Sequence, residues 1–465
     1  MTTVTLSLVS HTNVGKTTLA RTLLRRDVGE VLDQPHVTDV SEAHELIAAA
    51  GHRLLLWDTP GFGATARLAA RLRREASPLG WLLHQVWDRF TDRPLWCSQE
   101  AVRNVREDAD LVLYLVNAAE DPGGAGYVAL ELEILSWIGK PVLVLLNQTG
   151  PPRAGLERDI ERWRAVLQGR APVRDVLGLD AFSRCWVQEG VLLERVAREL
   201  DGERRAALEV LARAWNGRNL QVFESSCERM AVFLALAAAD RAPLPGEDAG
   251  RPQKRRAMEA LALRLEAAER ELWDAVIAEH GLEGRMAREV RKRLEDFDFE
   301  GAAPLTAGKG ALIGSIVTGA LGGLAADLLA GGLTLGGGLI AGALLGALGG
   351  AGLTSGFRLV RARGEPQVRW SAEFLAELAR RTLLRYLALA HSGRGRGPFE
   401  EEQPLERWRS AVERALDAGS PLREALRSPP ADSGSLEPLL RTRLRQALAE
   451  VLADAYPAAR ALLER

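Results

Sequence analysis

Val4, Leu6 and Leu8 alternate with Thr3, Thr5 and Ser7, the period-two pattern of a strand over 3–9. Leu19, Leu23 and Leu24 then repeat at helical spacing and predict a helix over 16–26. The same two periods continue as a strand pair at 40–49 and 53–57, strand 111–117, helix 126–138, strand 142–147, helix 155–168, strand 173–179 and helix 187–200. Strands alternating with helices over 1–202 predict an α/β domain with a mainly parallel sheet, its ligand loops at the carboxyl ends of the strands. From 203 onward the pattern is almost wholly helical. Breaks rich in Pro, Gly, Ser or charge fall at 242–252, 392–404 and 428–438. Charge-laced helices are expected at 252–297, 366–391 and 405–426, with Leu261, Leu265, Leu272 and Val276 at core spacing and Trp273, Trp370 and Trp408 as core or interface anchors.

Candidate chemistry begins where the first strand hands over to the first helix. Ser10-His11-Thr12-Asn13-Val14-Gly15-Lys16-Thr17 stands there, a loop whose backbone N–H groups and helix start make a positive pocket for phosphate oxygens. In such a loop Lys16 reaches the β/γ phosphates and the Thr17 hydroxyl ligates Mg2+. Ser10 takes the place of the usual first glycine, which an ordinary φ allows. Asp58-Thr59-Pro60-Gly61 follows the apolar run Leu54-Leu55-Leu56-Trp57. An aspartate ending a buried strand holds the Mg2+ shell, and the following glycine lets a backbone N–H approach the γ-phosphate. The two motifs together predict nucleoside triphosphate binding.

With Asp110-Leu-Val-Leu-Tyr-Leu-Val-Asn-Ala118 and Leu145-Leu-Asn-Gln148, these stretches resemble the G motifs of the TrmE–Era group of Ras-like GTPases. More closely, the chain is similar to bacterial Era-like GTPases whose C-terminal half is a domain of unknown function, and Asp92-Arg-Pro-Leu-Trp-Cys-Ser-Gln99 supports that match. The resemblance implies a Ras-like P-loop G domain followed by an all-α region. It places Ser10, His11, Thr12, Asn13, Val14, Gly15, Lys16, Thr17, Thr18, Asp58, Gly61, Asn147, Gln148 and Ala181 around GTP or GDP, and Thr17, Thr38 and Asp58 around Mg2+. Lys16, Thr38, Gly61 and Asn13 are its catalytic candidates. Thr38 would be the threonine that closes on Mg2+ and γ-phosphate; Thr18, Ser41 or a mere turn threonine are the alternatives. Asn13 matches the asparagine that helps bind K+ in cation-activated members, or is a solvent-facing loop residue.

Two departures bear on mechanism. Phe62 stands where enzymes that position their own water often carry glutamine, so intrinsic hydrolysis is expected to be slow, with K+ near Asn13 or a G-domain homodimer supplying positive charge. Asn147-Gln148-Thr149-Gly150 replaces the guanine-reading Asn-Lys-x-Asp, and Gly150 offers no carboxylate to guanine N1 and N2 hydrogens. Asp180-Ala181-Phe182 fits the second base-binding loop.

Residues 310–356 consist of Gly, Ala, Leu, Ile, Val, Ser and Thr with Asp327 as the sole charge. Gly338, Gly342, Gly346 and Gly350 share one helix face, and Gly310, Gly314, Thr318, Gly322 and Ala326 repeat the spacing. Glycine costs about 1 kcal/mol relative to alanine in a helix, so this density calls for a bilayer or for close packing. A helical hairpin with arms of about 16–20 residues would reach ~24–30 Å, near the limit for spanning a ~30 Å hydrocarbon core. Arg288, Arg291, Lys292, Arg293 and Lys309 precede it and Arg358, Arg361 and Arg363 follow, leaving both flanks cytoplasmic by the positive-inside rule. The competing expectation is a hairpin buried in the helical bundle.

Composition narrows the setting. The 465 residues, 47% hydrophobic and 26% charged, suffice for two or three domains, here 1–202, 203–309, 310–356 and 357–465 with the hairpin as an appendage. A net charge of -2 gives no pull toward nucleic acid, and the C-terminal half carries no RNA-binding motif. Cys97, Cys185 and Cys227 suggest a reducing compartment, and Met1 leads straight into the first strand, so a cytoplasmic protein at the inner face of the inner membrane is expected. The functional expectation is a slow GTPase coupled to a membrane-associated helical region. A soluble GTPase in ribosome or RNA assembly and a nucleotide-binding scaffold with little hydrolysis are the alternatives.

Overall fold

A computed structural model describes residues 1–25, 41–74, 92–149, 155–167, 169–181, 185–246, 248–282, 357–362, 365–391, 404–417, 419–427 and 433–464. Thr38, Gly150, Phe182 and the 310–356 hairpin lie outside them. The chain divides into two compact units: 1–220 with 390–407 and 452–465, and 221–389 with 408–451.

The first unit is built on a six-stranded sheet of β1 (Thr3–Ser10), β2 (Glu42–Ala49), β3 (His52–Asp58), β4 (Leu111–Asn117), β5 (Val142–Asn147) and β6 (Val173–Gly178). Its order is β2-β3-β1-β4-β5-β6, parallel except for the β2–β3 hairpin. These strands are Val/Leu runs because both faces are covered. Leu6, Leu8, Leu113, Leu115, Leu143 and Leu145 pack on one side against α1 (Lys16–Leu24), α6 (Trp186–Arg198) and the start of α7 (Gly202–Ala239). On the other side Val112, Tyr114, Val116, Val144 and Leu146 pack against α2 (Thr65–Arg74), α3 (Arg93–Glu107), α4 (Gly126–Ile138) and α5 (Leu156–Leu167).

The elements expected up to 200 are present, with ends shifted by one or two residues. Helices α2 and α3 are additional, in the stretch after the Asp58 motif to which no element was assigned. Their apolar positions, Leu68 and Leu72, then Leu95, Val102 and Val105, are sparse among arginines yet fully buried. The pattern was too thin to read without the sheet it packs on.

Among the described residues the second unit is helical apart from one small sheet: it holds the latter half of α7, α8 (Arg251–Glu279), most of α9 (Ala372–Ala390), the 408–415 part of α10 (Pro404–Ala415), α11 (Pro421–Arg427) and most of α12 (Ser433–Ala455), with β7 (Arg241–Pro243), β8 (Phe357–Ala362) and β9 (Glu365–Trp370). The sheet corrects the helix expected over 366–391. Val368 and Trp370 are buried while Gln367 and Arg369 are half-exposed, a period of two too short to register before the long helix that follows. The helix expected over 405–426 is two helices, interrupted around Asp417–Ser420. Trp273, Trp370 and Trp408 are buried, as anchors should be. Among the described residues no helix is long and apolar enough to cross a membrane.

Candidate functional site

Pairing of β1 with β3 sets Leu8 opposite Asp58, so the loops leaving the two strands lie side by side. Ser10, at the end of β1, carries no positive φ, and its hydroxyl accepts a hydrogen bond from Lys16 Nζ at 3.1 Å. A glycine there could not hold the lysine in this way. Asn13 is exposed in the left-handed region at φ 65°. Gly15 is required twice over: its φ is 99°, and a Cβ would lie 2.7 Å from Asn147 Nδ2. Gly15 precedes α1 with no side-chain cap, leaving the helix's first N–H groups to an anion. Lys16 is buried. Burial lowers its pKa, opposed by the charges of Asp58 and Glu131.

Thr17 Oγ1 donates to Asp58 Oδ2 at 2.7 Å, while Asp58 Oδ1 is buried and has no hydrogen-bond partner. Burial pushes the Asp58 carboxyl up, against Lys16, the Thr17 hydrogen bond and His44, with Glu42 adding to the rise. A hydroxyl beside a carboxylate whose second oxygen is buried and unpartnered suits a hard divalent cation. Thr17 and Asp58 therefore fit Mg2+. Gly61 closes over the loop: a Cβ at 61 would lie 3.0 Å from Thr12 Cγ2 and 3.2 Å from Lys16 Nζ. Phe62 is fully buried, and its N–H donates to Ser10 O at 2.9 Å, so it serves as a core residue that pins the two loops together.

On the base side, Asn147 is buried and spoken for at both ends. Its Nδ2 donates to Val14 O at 2.6 Å, and its Oδ1 accepts from Ala181 N at 2.7 Å. Thr22 Oγ1 on α1 donates to Ala181 O at 3.0 Å. Asn147 thus fastens the phosphate loop to the loop after β6. Gln148 follows with a left-handed φ of 57°, and Thr149 Oγ1 lies 3.4 Å from Asp180 Oδ2. Thr18 is buried on α1. The expected site residues that fall among the described residues lie on these adjoining loops, at the strand ends that lead into them, or in the first turn of α1.

One residue escaped the sequence reading. Glu131, on α4, is fully buried beneath the phosphate loop. Its Oε1 accepts from His11 Nδ1 at 2.8 Å and Thr65 Oγ1 at 2.9 Å, and its Oε2 from Tyr114 OH at 2.6 Å. The His11 ring also lies 4.4 Å from the Tyr127 ring, centre to centre. One carboxylate therefore joins the loop, α2 and β4. Burial and Glu131 together raise the Tyr114 pKa well above its usual value, so the phenol remains a donor. The available signal was a glutamate inside the apolar face of 126–138, where an unpaired charge is costly.

A phosphate loop beside an Mg2+-competent aspartate on a parallel sheet defines a P-loop nucleotide-binding domain. Residues 5–148 match the family model described as 50S ribosome-binding GTPase, which makes this domain a GTPase domain. Residues 172–454 match the family described as domain of unknown function DUF3482, and the chain belongs to that family.

Solved structures similar to this chain include Aquifex aeolicus Era bound to GDP and aluminium fluoride, at 18% identity, over 44% of this chain and 59% of that one, with a TM-score of 0.33. Era with MgGDPNP and a 16S ribosomal RNA segment matches at 17% identity over 44% and 59%, TM-score 0.34. A GTP-binding protein of Sulfolobus solfataricus in complex with GDP matches at 19% over 38% and 47%, TM-score 0.26. The chain thus spans less than two thirds of the length of these proteins. No curated protein matches it.

Proposed function

We propose that the N-terminal domain binds GTP and GDP with Mg2+, hydrolyses GTP slowly, and relays its nucleotide state to the helical region. The carrying observation is the buried Asp58 carboxylate, one oxygen held by Thr17 and the other unpartnered, in the electrostatic reach of Lys16. Lys16 and the backbone of 11–17 hold the β/γ phosphates; Thr17 and Asp58, with Thr38, hold Mg2+, which when bound offsets phosphate charge. The Gly61 N–H faces the γ-phosphate, and Asn147, Gln148 and Ala181 border the base. Phe62 has no polar side-chain atom to orient a water, so hydrolysis depends on K+ near Asn13 or on a second G domain.

The rest of the reading comes from sequence alone. It comprises membership of the TrmE–Era group, the domain limits at 202, 309 and 356, and association of 310–356 with the cytoplasmic face of the inner membrane. The name of the matching family supports a second reading, a soluble GTPase acting in ribosome or RNA assembly.

Calorimetry with Mg·GTP and Mg·ATP tests the core of the proposal. Tighter GTP binding is expected, equal or tighter ATP binding would remove the guanine assignment, and absence of heat from folded protein would remove the nucleotide site. Single-turnover hydrolysis should be slow and accelerate with K+. Acceleration by liposomes favours the membrane reading, acceleration by RNA the second, and no turnover under any condition leaves a nucleotide-binding scaffold.

Acidification gives a separate expectation. Mg2+ needs ionised Asp58, whose carboxyl is raised by burial, so Mg2+-dependent GTP affinity should fall at a higher pH than an ordinary aspartate would dictate. Asp58→Asn should abolish that acid limb together with the Mg2+ dependence, as read from titrations across pH. For the nucleotide-free fold the sign is opposite. A carboxyl raised above its unfolded value contributes stability fully below the unfolded pKa, and loses it as pH rises through the folded one.

A further inference from the structure

The small sheet of the second unit sets arginine against arginine. In register, Arg241 of β7 faces Arg369 of β9, which faces Arg358 of β8. Directly paired residues share a face, so the three side chains leave one side of the sheet in a row about 10 Å wide. Ala242, Phe357, Val368 and Trp370 occupy the other side and are buried. Like charges directly opposite one another destabilise a sheet unless something neutralises them.

Among the described residues no carboxylate is ion-paired with any of the three. Arg358 is exposed and makes no ion pair, and the buried Nε of Arg369 has no hydrogen-bond partner. Arg241 donates to the carbonyls of Ala238 and Asp240, not to a carboxylate. Asp240, the neighbouring acid, is held by Nε and Nη2 of a fourth arginine, Arg264 on α8. The row also depresses its own members: burial and then Arg369 lower the Arg241 pKa, against Asp240, and burial and then Arg358 lower that of Arg369.

We propose that Arg241, Arg369 and Arg358 form a binding site for a phosphoryl anion, carried by an acidic phospholipid headgroup or free as phosphate. Guanidinium forks match phosphate oxygens two at a time, and an anion across the row removes the repulsion that the strand pairing imposes. The chain enters β8 directly from the apolar run 310–356, which puts the row next in sequence to the segment whose glycine density calls for a bilayer or for close packing.

The test uses the full chain carrying Lys16→Ala, so that neither phosphate on the first loop nor the fate of the nucleotide assignment affects the outcome. Arg358→Gln/Arg369→Gln is compared with this parent in two assays. Cosedimentation uses phosphatidylcholine vesicles with or without about 30% phosphatidylglycerol, and thermal unfolding is followed with rising inorganic phosphate. If a headgroup is the ligand, the double variant should bind the acidic vesicles about tenfold or more weakly, with binding to neutral vesicles unchanged. If free phosphate is the ligand, the phosphate-dependent rise in melting temperature should vanish in the variant while vesicle binding stays the same. Should the double variant fail to fold, Arg358→Gln at its exposed position carries the comparison. Responses that are equal in parent and variant, or missing from the parent, overturn the proposal.

Discussion

Lys16→Ala is expected to weaken Mg·GTP binding at least about a hundredfold, with the variant still folded. A buried ammonium donating to a neutral hydroxyl gains its main compensation when phosphate oxygens arrive, and charge-assisted hydrogen bonds contribute about 1.5–3 kcal/mol each. Two such bonds exceed the roughly 2.8 kcal/mol that a hundredfold represents. Alanine removes the charge and leaves Ser10, Gly15 and the start of α1 able to form the loop. Titration of a fluorescent guanine nucleotide, with circular dichroism as the folding control, measures this. An unchanged affinity would mean that triphosphate is held somewhere other than this loop.

Glu131→Ala should cost about 3–5 kcal/mol of stability, among the largest single-residue effects in the first unit. The change strands the buried Tyr114 OH, takes an acceptor from the half-buried His11 Nδ1, leaves Thr65 Oγ1 with only Phe62 O at 3.3 Å, and opens a space that alanine does not fill. For a domain of this size that corresponds to a melting temperature lower by about 10 °C. Glu131→Gln keeps two oxygen-acceptor sites' worth of shape but only one oxygen, and should fall between parent and alanine. Hydrogen exchange gives the local readout: amides of α2 and of the loop at 11–15 should lose protection before those of β5. A melting temperature unchanged in Glu131→Ala would show that the cluster carries no net stability.

How much of this could be read beforehand depends on the distance in sequence over which each feature is encoded. Strands 111–117 and 142–147 and helix 126–138 were legible to the residue, because long apolar runs and helical periodicity are local. The phosphate loop was legible for the same reason: its donors are consecutive backbone groups and Lys16 and Thr17 follow at once. Helices α2 and α3 were not, since each exposes an arginine-rich face and shows only two or three buried leucines or valines. Strand β9 was hidden by the helix that follows it. For Asn147 the sequence leaves contact with the base or with its loop open, and the structure shows both ends of its amide bonded to the loops, at Val14 and Ala181.

By itself the sequence determined the six strands of the first sheet and the helices up to 200 other than α2 and α3, the phosphate-binding loop and the identity of the aspartate that accompanies it, because each is written in neighbouring residues or a short repeat. Only the tertiary structure decided which distant groups meet. Parallel pairing of β1 with β3 brings Thr17 to Asp58, helix packing carries Glu131 to His11 across 120 positions, and antiparallel pairing of β7, β9 and β8 aligns Arg241, Arg369 and Arg358. Such meetings follow from strand register and the burial of both sheet faces, which are properties of the packed chain and leave no spacing to read along it.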